Sequence, residues 1–400
     1  MLAGLLVVVL LALLVAPADH EDGEDLPIEA SPDDGPSDEA SPRGGEPSAS
    51  LSRPDQASDR DRPTLEDTDW EALPAAPIAG RQDALAVEAT IGDAPSLWLW
   101  GGERDGDATL DGARLTPEAE GWEEISEPPL APAQAREATG AWTGEAMVVL
   151  ADAPGERTVG GAAWEPERGW REIAAAHEIA TWQRVAWEGR RLVVLGFDRT
   201  GRPGVRAEAY DPDADRWRAL PRPPVRDGQG SLGVTGLGEE VVVLGDSSGG
   251  LALTRLDATE PRWSEPEPWT GEGPRPRRLA VTGHDATGTV HLIGMQTGRD
   301  RLGAWTWQRQ DGWRSLPRLP AEVTGPDVAA AVTRSGHLAV WDTGRHDVAV
   351  LDPEEDRWHA RTAPVEAVRE GAAATVVGDD LVVWGGEGAG PDGLRLPLTP

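Results

Sequence analysis

Seven tryptophans return along this chain at a nearly fixed interval, and no other feature restricts the possible folds so severely. Trp70, Trp122, Trp170, Trp217, Trp263, Trp313 and Trp358 are separated by 52, 48, 47, 46, 50 and 45 residues. Most lead into a proline-bearing exit, as in Glu71-Ala-Leu-Pro74, Arg218-Ala-Leu-Pro221 and Arg314-Ser-Leu-Pro317. Most follow a turn cue such as Trp164-Glu-Pro166, Tyr210-Asp-Pro212 or Leu351-Asp-Pro353. About twenty residues upstream of the six later tryptophans lie apolar runs, among them Val148-Val-Leu150, Val193-Val-Leu195 and Val242-Val-Leu244. A shorter alternating stretch precedes each run. Every unit therefore predicts four short strands joined by tight turns, without a helix. Continuous apolar runs suit strands covered on both faces, as when sheets stack.

About seven such units predict an all-β fold, a seven-bladed β-propeller of four-stranded antiparallel blades. The ends support the count. After Trp358 only 42 residues remain, enough for three strands near 373–377, 381–386 and 393–398. The strand of Trp70 has no three strands before it. The two fragments complete one blade, so the ring is expected to be closed by the N-terminal strand joining the C-terminal blade.

Upstream of this domain, at 68–400, the composition changes twice. Residues 1–18 are almost unbroken apolar sequence ending in Ala16-Pro17-Ala18, a small-x-small pattern that predicts a signal peptide or N-terminal membrane anchor. No basic residue precedes the run. At about 1.5 Å per residue it falls a little short of a hydrocarbon core. Residues 19–67 form an acidic Pro/Ser/Gly-rich linker; between Asp19 and Asp69 there are seventeen acidic residues and four arginines. Such a stretch has little to bury and predicts a disordered spacer. The lack of cations before Arg43 fits an outward-facing flank, so an extracytoplasmic location is expected, secreted or tethered.

Composition excludes several function classes. A net charge of −33 argues against nucleic acid and against anionic lipid surfaces, which leaves the N-terminal segment as the membrane contact. High-salt life is a further reading of that acidity. There is no Cys, hence no disulfide, thiolate metal site or thiol nucleophile. His20, His177, His284, His291, His337, His346 and His359 are scattered without metal-motif spacing. Asp211, Asp213 and Asp215, and Asp105, Asp107 and Asp111, alternate like calcium ligands but lack the bidentate Glu of an EF-hand loop; tight turns explain them. No metal and no cofactor is expected.

The Gly doublets Gly101-Gly102 and Gly385-Gly386 after the second strand, with the downstream Tyr210-Asp-Pro…Trp217 turn, resemble the Kelch-repeat family from Trp70 to the C-terminus. The resemblance implies a propeller whose mouth is a frequent binding site. It also implies two enzymatic precedents. Copper radical oxidation needs a Cys-crosslinked Tyr, which this chain cannot make. Sugar isomerisation needs an acid or base beside arginines in the mouth. Arg81, Arg136, Arg184, Arg226, Arg278 and Arg369 recur between the Trp-bearing strand of one unit and the first strand of the next, where repeat symmetry gathers them on one face. Guanidinium groups there suit a carboxylate or sulfate. Glu137, Glu178, Asp227, Asp327 and Glu370 are the neighbouring acids. Among the tryptophans, Trp182, Trp187, Trp305 and Trp307 are least explained by the period and are candidate sugar platforms. The expected function is a monomeric, non-catalytic binding module for a protein or glycan, with a mutarotase- or epimerase-like enzyme as the alternative.

Overall fold

The computed structural model describes residues 62–399, apart from 93, 117–120, 136–137, 154–157, 199–203, 229, 258–259, 300, 324 and 326. The apolar segment 1–18, the linker up to residue 61, and Arg136 lie outside the described residues.

Seven four-stranded antiparallel sheets make up a β-propeller. In blade 3 the strands run outward from the axis as Ile179–Trp187, Leu192–Asp198, Arg206–Asp211 and Arg216–Ala219. Because strands alternate in direction, links from an outer strand to the next inner strand share one face with the turns between second and third strands. We call this the upper face; the other two turns of each blade form the lower face. Among the described residues the only helical elements are three single 3-10 turns, the longest Pro132–Ala135.

Ring closure follows the expected arrangement. The seventh blade takes Ala373–Val377, Asp380–Trp384 and Gly393–Pro397 from the C-terminus and its outer strand, Glu71–Ala72, from the N-terminus. Glu71 pairs with Arg395 and Ala72 with Leu394. The folded unit reaches back into the stretch read as linker. Arg62 makes a bidentate pair with Asp347 in blade 6, at 2.8 and 2.6 Å, and Pro63 accepts the N–H of Val365.

The core lies between neighbouring sheets. One cluster joins Val148, Leu150 and Val159 of blade 2 to Val185, Val194 and Tyr210 of blade 3. The periodic tryptophans stitch these seams. Trp122, Trp170, Trp217, Trp263 and Trp358 each donate the indole N–H, at 2.5 to 2.9 Å, to the carbonyl of Pro74, Ser126, Ala174, Pro221 and Pro317 respectively. Every acceptor stands four residues after the preceding repeat's tryptophan. The period in the sequence is thus the period of a blade-to-blade hydrogen bond. Trp263 departs from the expected strand position: it makes an isolated bridge to Leu256, and the outer strand of its blade is Glu267–Pro268. Trp217→Phe keeps most of the packing but leaves the Ala174 carbonyl without its donor. It should lower stability by about 1–3 kcal/mol, read by urea unfolding; a loss below about 0.5 kcal/mol would make the indole N–H energetically idle.

Gly102, at φ +95°, and Gly385, at φ +72°, show why the doublets occur where they do. A Cβ on Gly102 would collide with the carbonyl oxygen of Gln82, and one on Gly385 with that of Arg81. Both doublets make room for the chain entering blade 1.

Candidate functional site

The upper mouth receives the recurring arginines that the structure describes, and their partners separate them. Arg81, at 2 % exposure, is a buried pin. Its guanidinium meets both oxygens of Asp111, at 2.5 and 2.9 Å, and also Thr109 Oγ1 and Ala79 O, while its Cζ lies 5.9 Å from the ring centroid of Trp384. The hydrogen bond from Arg81 holds the Asp111 carboxyl below its ordinary pKa, against the opposing effect of burial. Arg81 therefore ties blade 7 to blade 1. Arg369 donates to the carbonyls of Gly385 and Asp392, and burial depresses its pKa although Asp392 and Glu366 work to raise it. Arg226 is exposed, and its backbone pairs with Asp246.

Arg184 and Arg278 sit differently. Each lies where the register of an inner strand shifts, between Trp182 and Arg184 in Ile179–Trp187, and between Arg277 and Ala280 in Pro276–His284. Arg278 adopts φ +50° there. Such bulges re-aim a side chain from the strand. Arg278 Nη1 donates to Asp327 Oδ1 at 3.0 Å, and its N–H donates to Gly230 O. Arg184 Nε donates to Leu232 O at 3.1 Å and Nη1 to Gln183 O at 2.7 Å. Among the described residues it has no carboxylate within ion-pair distance. Burial pulls its pKa down, partly offset by the charge of Asp227.

Of the acids near the mouth, Asp227 caps its own loop, with Oδ1 accepting the N–H groups of Gly230 and Ser231 at 3.0 Å. Asp327 is taken by Arg278. Glu178 and Glu370 are exposed on their loops, and Glu137 lies outside the described residues. Only Asp227 is thus placed to act electrostatically on Arg184. Mouth charges alternate across blades 3 to 6 as Arg184, Asp227, Arg278 and Asp327, which is not the uniform ring of cations that repeat symmetry suggests.

The other singled-out residues have mostly structural places. Trp305 and Trp307 are buried between blades 4 and 5, which removes them as sugar platforms; Trp182 and Trp187 are half-buried. Tyr210 is fully buried between blades 2 and 3; its hydroxyl donates to Asp215 Oδ1 at 2.7 Å, and burial raises its pKa. Asp215 Oδ1 also accepts the N–H of Ala174, and Asp211 Oδ1 that of Ala214. Asp105 and Asp107 lie in the ribbon Glu103–Arg104 with Asp107–Ala108, away from the Asp111 bond to Arg81. Among the described residues one group of possible metal ligands converges, Asp352, Glu355 and His359 on an exposed turn of blade 6. There Asp352 Oδ1 already accepts the N–H groups of Glu354 and Glu355.

Sequence reasoning missed a lower-face groove of about 740 Å³ between blades 2 and 3. Its charged residues sit in four separate turns, so no motif announces them.

No protein-family model matches the sequence, and no curated protein matches it. The Kelch likeness therefore stands on the repeat pattern. Solved structures do match in shape. A fungal alcohol oxidase of the AA5 family, in complex with copper, aligns over 82% of this chain and 75% of its own, at 15% identity and a TM-score of 0.53. The structure of YjhT aligns over 72% of this chain and 99% of its own, at 12% identity and a TM-score of 0.45. Likeness at this level of identity concerns the propeller fold alone.

Proposed function

We propose that this chain is an extracytoplasmic, non-catalytic binding module, in which the upper mouth of a seven-bladed propeller holds a protein or glycan ligand through a carboxylate. The observation that supports it is Arg184. Its guanidinium is anchored by two backbone carbonyls, makes no ion pair among the described residues, and is partly desolvated. A planar anion meets such a fork bidentately, and the anchors reduce the entropy lost on binding. Arg226 and Arg369 add positive charge at the rim, whereas Arg81 and Arg278 already have carboxylate partners.

The mutarotase- or epimerase-like alternative needs a free acid or base beside that guanidinium. Asp227 comes nearest, and its Oδ1 is committed to two backbone N–H groups, which favours binding over isomerisation. The copper of the fungal oxidase has no counterpart in this reading: Tyr210, the single tyrosine, is held in the seam between blades 2 and 3.

The test is a thermal-shift screen of sugar acids and small organic acids, followed by calorimetry on any that bind. At a hundredfold excess over Kd a true ligand should stabilise the fold by about 2.7 kcal/mol. Arg184→Ala should abolish that shift, and Arg184→Lys should restore only part of it, because an ammonium lacks the fork. A screen in which no acid moves the melt would remove the mouth site. Conversion of a bound sugar followed by NMR would replace the binding module with the enzyme.

A further inference from the structure

The lower-face groove between blades 2 and 3 has the parts of a second binding site. It is built from four turns: Thr143, Glu145 and Ala146; Glu165 to Arg171; Trp187 to Arg190; and Pro212 to Asp215. Trp170 also borders it, but its ring belongs to the opposite seam, packed against Trp98 and Trp100 of blade 1 at 5.7 and 6.1 Å. Trp187, the last residue of the inner strand of blade 3, packs on the seam between blades 2 and 3 and remains partly exposed. Among the described residues its indole N–H has no acceptor, unlike the stitching tryptophans.

The polar groups around this indole fall into two sets. Arg171 is fixed: Nη2 donates to Pro212 O at 3.1 Å, and Nη1 reaches Tyr210 Oη and Asp215 Oδ1, both at 3.4 Å. Arg168 pairs with Glu165 at 2.7 Å. Arg190, Glu145 and Asp213 form the second set. They are exposed, and among the described residues no hydrogen bond or ion pair engages their side chains, although the charge of Arg190 acts on Glu188. The groove thus offers an indole face, donors and acceptors on both walls, and three charged ends outside any hydrogen bond or ion pair.

The geometry points to this groove as a binding site for a neutral sugar of one or two residues, with Trp187 as the stacking platform and Arg190 and Asp213 as partners for adjacent hydroxyls. Four reasons select that ligand. A sugar ring offers C–H groups to an aromatic face and hydroxyls that both donate and accept, matching the mixed walls. The volume lies in the range of small-molecule sites. Anionic ligands are disfavoured because Glu145, Glu165, Asp213 and Asp215 outnumber Arg168, Arg171 and Arg190 along the lining. A peptide would want apolar anchors or an open strand edge, and apart from Trp187 the aromatic surface faces elsewhere.

This site is independent of the upper mouth. The probe is a panel of neutral disaccharides (maltose, cellobiose, lactose, mannobiose) presented to the full chain, with saturation-transfer NMR and calorimetry as readouts. At least one should bind. Trp187→Ala and Arg190→Ala should each weaken it by about tenfold, while Trp187→Phe should retain part of the affinity. Arg309→Ala, on the lower face of blade 5, should leave binding unchanged. If Trp187→Ala fails to fold, Arg190→Ala and Asp213→Ala at exposed positions carry the test. The inference is overturned if no disaccharide binds at about 50 mM, or if binding survives loss of Arg190 and Asp213. The acid screen on Arg184 reports separately, so either site can fail alone.

Discussion

Deleting Asp69–Pro77 should open the ring and leave a protein that melts far below the parent. The segment does three things. Trp70, at 4 % exposure, is buried in the cluster that joins blades 6 and 7. Glu71–Ala72 completes blade 7, extended by the N–H of Leu73 donating to Gly393 O and that of Ala76 to Pro391 O. The same stretch is the covalent link from the outer strand of blade 7 to the inner strand of blade 1, so its removal leaves that seam to the Arg81 pin and the packing around it. Losing one buried Trp costs about 3–5 kcal/mol, and the exposed edge of Gly393–Pro397 adds to it. The sum approaches the whole stability of an ordinary domain, about 5–15 kcal/mol. Urea unfolding of the truncated protein checks this, with Trp70→Ala as the milder version. A truncated chain that melts within about two degrees of the parent would refute closure by this strand.

Glu208→Ala should be the most damaging single substitution in blade 3. Glu208 is fully buried on the strand Arg206–Asp211, and no cation balances it among the described residues. Its carboxylate instead accepts three successive backbone N–H groups, those of His177, Glu178 and Ile179, at 3.2, 3.0 and 3.0 Å. These residues lead from the outer strand of blade 2 into the inner strand that carries Arg184. Alanine leaves one buried and two part-buried donors without their acceptor, at an expected cost of about 2–4 kcal/mol. Glu208→Gln, which keeps an acceptor oxygen and shape, should lose roughly half of that. Denaturant unfolding measures the loss, and hydrogen exchange at 177–182 should rise in the alanine variant before the rest of the blade responds. Unchanged exchange there would show that the three bonds do not hold the segment.

Blade count and closure were legible because each blade solves the same local problem. A strand buried on both faces needs an apolar run, a tight turn needs Asp-Pro or Gly, and a seam needs a large side chain with a donor. Those needs recur about every 48 residues and leave a visible trace, down to the acceptors four residues beyond Trp70, Trp122, Trp170, Trp217 and Trp313. The half-blades at the two ends could be joined by arithmetic because an incomplete blade exposes an edge.

The candidate sites were legible only in outline. Arginines recur at one position in the repeat, but the fate of each depends on what the neighbouring blade presents. Arg81 meets Asp111 across thirty residues, and Arg278 meets Asp327 from the next blade. Arg184 meets only carbonyls, because a bulge sets its side chain beside them. The same holds for the tryptophans. Trp307 and Trp187 both lie near the ends of strands and outside the period, yet one is sealed between blades 4 and 5 and the other is partly exposed beside charged turns. Periodicity is a property of one strand and its immediate partners, so the sequence by itself determined the repeat, the blade number and the closure. Ion pairing and solvent exposure depend on distances between blades, and so the tertiary structure alone decided which arginine stays out of ion pairs and which tryptophan stays partly exposed.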